Sequence, residues 1–484
     1  MIRLNLAVAA LLVALLTVPA AEPAHASKPN IVLILADDLG WADLACYGAD
    51  LHETPHLDQL ARDGVRFTQA CAPAPVCSPT RAALLTGKAP ARLHITIWAE
   101  GSLKGPTNRK LLQAASLHDL PHAETTLAKH LQAAGYLTAL VGKWHLGDAN
   151  HAAETHGFDI NIGGTHWGAP TTFFWPYRGA GRFGTEFRYV PHLEFGQPGE
   201  YLTDRLTDEA LRVVDRAAAA KQPFFLYLAH HAPHTPVEAK PADVTHFKEK
   251  LRPGMKHQNP TYAAMVRSLD ESVGRVRARL RERGLERNTI FIFTSDNGGY
   301  IGTSTHEGRT IPVTDNSPLR SGKGTCYEGG LRVPLIVDWP GVTPAGARCD
   351  EPVVLTDLFH TLTVAAGLGA PAGSVPDGLD LSALLRKPDT KLGRDALFFH
   401  YPHYYHAPPS TPVSAVRAGN WKLLEFFEDQ RVELFNLKDD PGESRDLAKQ
   451  MPDKTAELLQ RLRDWRETVG AQMPAPNPDH RRAR

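Results

Sequence analysis

The chain has 484 residues, 42% of them hydrophobic and 22% charged, which is ordinary globular material long enough for one large domain and a smaller one. Lysine plus arginine equal aspartate plus glutamate at 53 each, so net charge argues against nucleic-acid or membrane-surface binding, and any cationic site must be local.

In chain order, Met1-Ile2-Arg3 and the apolar stretch from Leu6 to Val18 lead to Ala24-His25-Ala26, a pattern that predicts a cleaved secretory signal over residues 1–26 and export to the periplasm or medium. The run is short for a bilayer span and no later segment is apolar enough, so no stable membrane anchor is expected. Ile31 to Ala36 is a continuous run rich in branched residues, as in a strand buried on both faces of a parallel sheet; Phe224 to Ala229 and Thr289 to Thr294 repeat it. Thr54-Pro55 opens a helix that Gly64 closes, and Thr125 or Thr126 opens another that Gly135 closes. Tyr262, Met265, Val266, Leu269, Val273, Val276 and Leu280 recur at helical spacing. Strands alternating with helices predict a large doubly wound α/β domain, its sheet mixed but mostly parallel, over residues 27–352. Catalytic groups should gather beyond the carboxyl ends of its strands.

From Val353 the rhythm changes. A helix near Thr356 to Ala366 and a Gly/Pro-rich stretch lead to short strands at Leu397–His400, Val413–Arg417, Trp421–Phe426 and Val432–Asn436. A closing helix follows over Met451–Val469. This predicts a small antiparallel sheet packed on a helix within residues 353–470, with 471–484 a disordered tail.

Cys77-Ser78-Pro79-Thr80-Arg81, running into Ala82-Ala83-Leu84-Leu85-Thr86-Gly87, carries the chemistry. Pro79 suits a first helical turn, which sets Cys77 against unpaired amide groups and the positive end of the helix dipole. Arg81, one turn on, can fork onto an oxyanion. The ordinary alternative is a buried thiol before a helix. Asp37-Asp38 follow one buried strand and Asp296-Asn297 another; hard oxygen donors of this kind suit calcium or magnesium rather than zinc. Lys143 and His145, two apart after a strand-like Leu137 to Val141, can face the same pocket. His230, His231 and His234 raise a zinc site, against which stand Pro233, Pro236 and the lack of a soft ligand close by. Gly322-Lys323-Gly324-Thr325 fails as a phosphate loop, because Ser317 and Gly324 stand where that motif needs glycine and a hydroxyl residue.

The Cys77 to Gly87 block resembles the signature of the type I sulfatases, whose cysteine a separate enzyme oxidises to formylglycine. Ile31 to Gly40, Gly135 to Gly147, Phe224 to Pro236, Phe291 to Gly299 and Leu319 to Gly330 agree with that family in order and spacing, covering roughly residues 28–465. The resemblance implies one divalent ion, calcium with magnesium as the alternative, held by Asp37, Asp38, position 77, Asp296 and Asn297. It further implies that Arg81, Lys143 and Lys323 hold sulfate, that His145 orients a formylglycine hydroxyl, and that His234 protonates the departing alcohol. A formylglycine-generating enzyme is then a partner. With Cys77 consumed, Cys46, Cys71, Cys326 and Cys349 allow three pairings, among which sequence does not choose, and free buried thiols are an equal alternative.

Substrate groups are sought outside these motifs. Gly163 to Pro170 with Phe173 to Tyr177 resembles the rim loop of bacterial carbohydrate sulfatases, nominating Thr165 and His166; His400 to His406, rich in sugar-compatible rings, nominates His400 and His403. The expected activity is hydrolysis of sulfate esters on fragments of sulfated polysaccharides, with aryl sulfates as surrogates. Two alternatives are a phosphonate or phosphate ester hydrolase of the same superfamily and an inactive sulfoglycan-binding protein.

Overall fold

The computed structural model of the protein describes residues 28–103, 105–182, 184–306, 308–371 and 377–480. The expected signal over 1–26 and the end of the expected tail, 481–484, lie outside them.

An eight-stranded sheet forms the centre. In chain order its strands are β1 (Asn30–Ala36), β2 (Val65–Phe67), β3 (Leu137–Gly142), β4 (Ile160–Ile162), β5 (Phe224–Ala229), β6 (Thr289–Ser295), β7 (Leu335–Asp338) and β8 (Ala347–Cys349). They lie in the order β8-β2-β7-β6-β1-β5-β3-β4. Only β7 runs against its neighbours β6 and β2, while the other pairings are parallel.

The central run Ile31 to Ala36 shows why the sheet is covered on both faces. Side chains alternate across a strand, and here both sets are apolar. Val32, Ile34 and Ala36 enter a core with α1 (Pro55–Asp63), α4 (Leu202–Ala220) and α5 (Pro260–Glu282). Ile31, Leu33 and Leu35 enter a second core with α2 (Cys77–Thr86), α3 (Leu127–Ala133) and α6 (Asp357–Ala365). The doubly wound α/β arrangement is therefore present, and α6 belongs to it although it follows residue 352.

The second sheet is antiparallel, in the order β9 (Leu397–Tyr401), β10 (Val413–Ala418), β11 (Trp421–Phe426) and β12 (Val432–Asn436). One face takes Leu458 and Leu462 of α7 (Pro452–Val469) against Val416, Leu423 and Leu434. The other packs Phe399, Tyr401, Ala415 and Leu424 against Cys71, Val76, Ile97 and Leu331, beside the start of α2. A buried ion cluster ties the two sheets, with Lys422 Nζ 2.9 Å from both Glu328 and Glu443.

The expected disordered tail is corrected over its described part. Ala475–Pro476 pairs with Leu111–Leu112, and buried Asn477 donates from Nδ2 to the carbonyls of Thr107 and Arg109, both at 2.8 Å. Its prolines thus sit in a docked extended segment. The five cysteines are all free. Among the described residues no helix is long and apolar enough to cross a membrane.

Candidate active site

Register brings the acidic pairs together. Ala36 at the end of β1 lies opposite Ser295 at the end of β6, so Asp37 and Asp296 leave adjacent parallel strands, about 4.8 Å apart. Asp38 adopts a left-handed φ of 68°, donating its N–H to Asp296 Oδ1 at 3.2 Å, while Asn297 Nδ2 donates to Asp38 Oδ1 at 2.8 Å. On the other side of β1, the ends of β5 and β3 supply His230 to His234 and Lys143. Gly142 makes the last approach possible: its φ is +107° and a Cβ there would lie 2.0 Å from the Ala229 carbonyl oxygen. Lys143, fully buried, donates from Nζ to Asp37 Oδ2 at 2.6 Å.

Cys77 is the first residue of α2, as the Pro79 position predicts. Arg81 on the same helix is fully buried; it donates from Nε and Nη2 to Asp296 Oδ2 at 3.0 and 2.7 Å and from Nη1 to the Lys143 carbonyl at 3.1 Å. Its fork is thus committed to the protein's own carboxylate rather than turned into open space. Burial pushes the Cys77 thiol up to about 12, against the pull of Lys143 and Lys323. Burial acts upward on Asp37 and Asp38 too, but Lys143 beside the first and Lys323 beside the second hold both carboxyls below their usual range.

The donor set fits a hard divalent cation. Asp37, Asp38, Cys77 and His234 each offer a ligand atom, all within 4.8 Å of one another. Asp37 Oδ1 and Asn297 Oδ1 are buried without a hydrogen-bond partner, Arg81 standing 3.8 Å from the former. Buried oxygens left unpaired in this way are costly unless a cation takes them.

These groups open into a cavity of about 410 Å³ lined by Asp38, Cys77, His145, His234 and Lys323 together with Trp98, Glu100, Gly168, Ala169, Arg188, Thr235, Tyr300, Tyr405 and His406. Lys323 Nζ contacts Asp38 Oδ1 at 2.8 Å, an ion pair that overrides burial and keeps the lysine charged. His234 hydrogen-bonds through Nδ1 to the Thr235 carbonyl at 2.6 Å, leaving Nε2 3.5 Å from Asp38. Burial first, then Lys323, lowers its proton affinity. His145, at a φ of 58°, pairs Nε2 with Glu100 Oε2 at 2.7 Å; burial lowers it to about 4 although Glu100 opposes the shift.

Glu100 and Arg188 are invisible to motif reading. Glu100 lies on the short helix Ala99–Leu103 and also accepts the Gly168 N–H at 3.0 Å, with Arg188 at 3.4 Å. Arg188 comes from the hairpin strand Gly184–Tyr189. Only the fold brings them to His145. A larger groove of about 920 Å³ between the two sheets is lined by Arg332, Arg348, Lys391 and Arg394, but these are paired with Glu328, Asp350, Glu351 and Asp357.

The nominated substrate residues are corrected. His400 is buried between Ser414 Oγ at 2.6 Å and the Gln472 carbonyl at 2.9 Å, and His403 between Thr96 Oγ1 at 2.8 Å and Gln113 Oε1 at 3.3 Å. Both are satisfied core histidines, and Tyr405 and His406 of the same segment line the cavity instead. Thr165 is used within its loop, its carbonyl on the His145 N–H and its hydroxyl on the Trp167 N–H, and His166 turns its Nε2 to 3.9 Å from Glu186. From that loop Gly168 and Ala169 reach the cavity. Phe173 and Tyr177 are fully buried rather than on the rim. Of the histidine trio, His230 is held by Ser272 at 2.9 Å, and only His234 lines the cavity.

A mostly parallel sheet with helices on both faces and, at its carboxyl edge, an acidic cluster that fits a cation, buried cations and a helix-start cysteine place the protein in the α/β class with a polar cavity at its strand ends. The chain belongs to the sulfatase family, whose model matches residues 29–368; a second model, N-sulphoglucosamine sulphohydrolase C-terminal, matches 322–468. It is 36% identical to the N-acetylgalactosamine-6-sulfatase of Canis lupus familiaris, over 73% of this chain and 65% of that protein. The chain thus spans just under two thirds of the length of that relative. It is 32% identical to a sulfatase of Formosa agariphila over 90% of this chain and 88% of that one. Among solved structures it resembles Ps i-CgsB in complex with k-i-k-neocarrahexaose, at a TM-score of 0.75 and 31% identity, covering 91% of this chain and 93% of that one.

Proposed function

We propose that the protein hydrolyses sulfate monoesters carried by carbohydrates, with formylglycine made from Cys77 by a maturation enzyme and one calcium ion held by Asp37, Asp38, position 77, Asp296 and Asn297. The observation that carries the reading is the placement of Cys77, at a helix start and sharing one cavity with Asp38, His234 and Lys323. Converted to formylglycine and hydrated by one water, position 77 supplies a geminal diol, one hydroxyl of which can attack sulfur as the S–O bond to the alcohol breaks, while the other can then give up its proton to re-form the aldehyde and expel sulfate without water attacking sulfur. Calcium, when bound, supplies positive charge to the attacking hydroxyl and to a sulfate oxygen.

The remaining work falls to the side chains. Arg81 and Lys143 hold Asp296 and Asp37 in place and set positive charge behind the acidic cluster. Lys323, kept charged by Asp38, neutralises charge on the leaving oxygen. An arriving sulfate adds negative charge beside His234, favouring the imidazolium that can protonate the departing alcohol. His145, with Nε2 committed to Glu100, has its buried Nδ1 without a partner, suited to orient a hydroxyl at position 77. Trp98, Tyr300, Tyr405, His406 and Arg188 offer apolar ring faces and hydrogen bonds fit for a sugar. The likeness to Ps i-CgsB with a neocarrahexaose supports a carbohydrate over an aryl substrate.

Two readouts test this together. Protein made with a formylglycine-generating enzyme is digested with trypsin, and the peptide Phe67 to Arg81 is weighed after alkylation, Cys71 serving as the internal control. The same preparation is assayed for sulfate release from a panel of sulfated saccharides. One alkylated cysteine, an aldehyde at position 77 and sulfate release are expected. Two alkylated cysteines and no release would leave a sulfoglycan-binding protein.

A further inference from the structure

Asp43, His52 and His257 form a second buried cluster, and none of the three lines the cavity at Cys77. We infer that they are a transition-metal site, of the type zinc occupies. Each offers one ligand atom, all within 4.8 Å of one another. Both histidines are oriented as ligands are: His52 Nδ1 faces the Asp43 carbonyl at 2.8 Å and His257 Nδ1 faces Asp50 Oδ1 at 2.8 Å, which leaves each Nε2 for a metal. His257 is 2% exposed and its Nε2 has no hydrogen-bond partner, although Asp43 Oδ1 lies 3.3 Å away. That spacing is what two neighbouring ligands on a tetrahedral ion show, since bonds of about 2.0–2.1 Å open by the tetrahedral angle to about 3.3 Å. Bound to such an ion, Nε2 would be deprotonated and would present its lone pair, with its proton kept on Nδ1 facing Asp50.

The chemistry separates this cluster from the catalytic one. Two imidazoles and one carboxylate suit zinc, whereas the oxygen-rich set at Asp37 and Asp38 suits calcium. Asp43 is rigidly held: its Oδ2 accepts from the Gly40 N–H at 2.6 Å and the Tyr262 hydroxyl at 2.7 Å, and its Oδ1 from Thr314 at 2.5 Å. His52 borders a cavity of about 480 Å³ that Asp58, Asp270 and His56 also line, together with Glu53 and Glu271, which are paired with Lys250 and with Lys240 and Arg267. An ion there would pin the segment after β1 to the residues that lead into α5. Tyr262 connects this cross-link to the catalytic acids, its hydroxyl also 3.3 Å from the Asp38 carbonyl.

The test uses the full mature protein, freed of metal, supplied with excess calcium and titrated with zinc chloride. Elemental mass spectrometry counts bound zinc, and X-ray absorption at the zinc edge reads its ligands. Expected are about one zinc per chain with two imidazole ligands, a rise in melting temperature, and retention of that zinc by Asp38→Asn. His52→Gln, shown by its metal-free melting curve to be folded, should lose the site. Asp50→Asn, which replaces the charged acceptor of the His257 ring and of the Lys256 and His257 N–H groups by a neutral one, should weaken zinc about 10- to 100-fold and carries the test if His52→Gln does not fold. No zinc uptake in the presence of calcium would overturn the inference and leave a proton-held ion pair, as would zinc that His52→Gln keeps and Asp38→Asn loses.

Discussion

Arg81 binds one carboxylate oxygen with two nitrogens and a backbone carbonyl with the third, so one guanidinium joins the ends of β6 and β3 through α2. A lysine there keeps the charge but not the fork. Arg81→Lys should therefore lower kcat on the order of 100-fold with little change in KM, because Asp296 and the Lys143 backbone lose the shared anchor that positions them. Steady-state kinetics on an aryl sulfate distinguish this from direct substrate contact, which would raise KM with kcat preserved. Glu100 is the residue that sequence does not reveal: it lies in no motif, and its role comes from meeting His145 and Arg188 across the fold. Glu100→Gln leaves Arg188 and the His145 proton with a neutral partner, and kcat/KM should fall roughly tenfold. An unchanged pH–rate profile and rate in that variant would remove Glu100 from the mechanism.

Elements were legible where one physical signal dominates. A strand buried on both faces must be apolar throughout, which makes β1, β5 and β6 plain, and caps such as Thr126, whose side chain accepts from Lys129 N–H, mark helix starts. β7 carries that signal only over Leu335-Ile336-Val337, too short a run between Pro334 and Trp339-Pro340 to stand out, and nothing in it marks the antiparallel place that its pairing with β6 and β2 gives it. The acidic cluster was legible because its residues directly follow strands, and the placement of the nominated substrate residues was not, because ring-rich sequence does not tell a core histidine from a rim histidine. His400 and His403 make that difference measurable. Burial lowers them to about 4 and about 3 from an ordinary 6.5, so below 6.5 the unfolded chain takes up protons that the folded one refuses. Stability they contribute above 6.5 is thus lost as pH falls towards 4, at up to about 1.4 kcal/mol per pH unit for each. Urea unfolding between pH 7 and 5 should show this slope, and His403→Gln should reduce it. The C-terminal sheet is also coupled to the cavity, since Tyr405 and His406 follow β9. Leu462→Ala in α7 should cost about 3 kcal/mol by opening a core cavity, and KM should rise as those two side chains loosen. A lower melting temperature with KM unchanged would show that the rim does not depend on the sheet's docking.

The whole molecule carries no net charge, so the proposed attraction for an anionic ester has to be built at one place. At the carboxyl edge of the large sheet, Asp37, Asp38 and Asp296 are balanced by Arg81, Lys143 and Lys323, and the protein's own groups alone offer an incoming sulfate no surplus of positive charge. Calcium would add that surplus and take the oxygens of Asp37 and Asn297 that lack hydrogen-bond partners. Two consequences should then travel together on chelation with EGTA. The folded state should lose the linkage free energy of the ion, about 4 kcal/mol where calcium had stood at 1,000 times its Kd, seen as a lower melting temperature. Turnover should fall with KM for the sulfate ester rising, because the balanced pocket no longer favours an anion. Readdition of calcium should restore both, and magnesium should restore less, since the crowded, protein-supplied oxygen set suits an ion that gives up its waters readily. Recovery with magnesium equal to that with calcium would instead identify the site as one that tolerates a smaller, more hydrated ion, and loss of turnover without any shift in melting would place the ion outside this buried cluster.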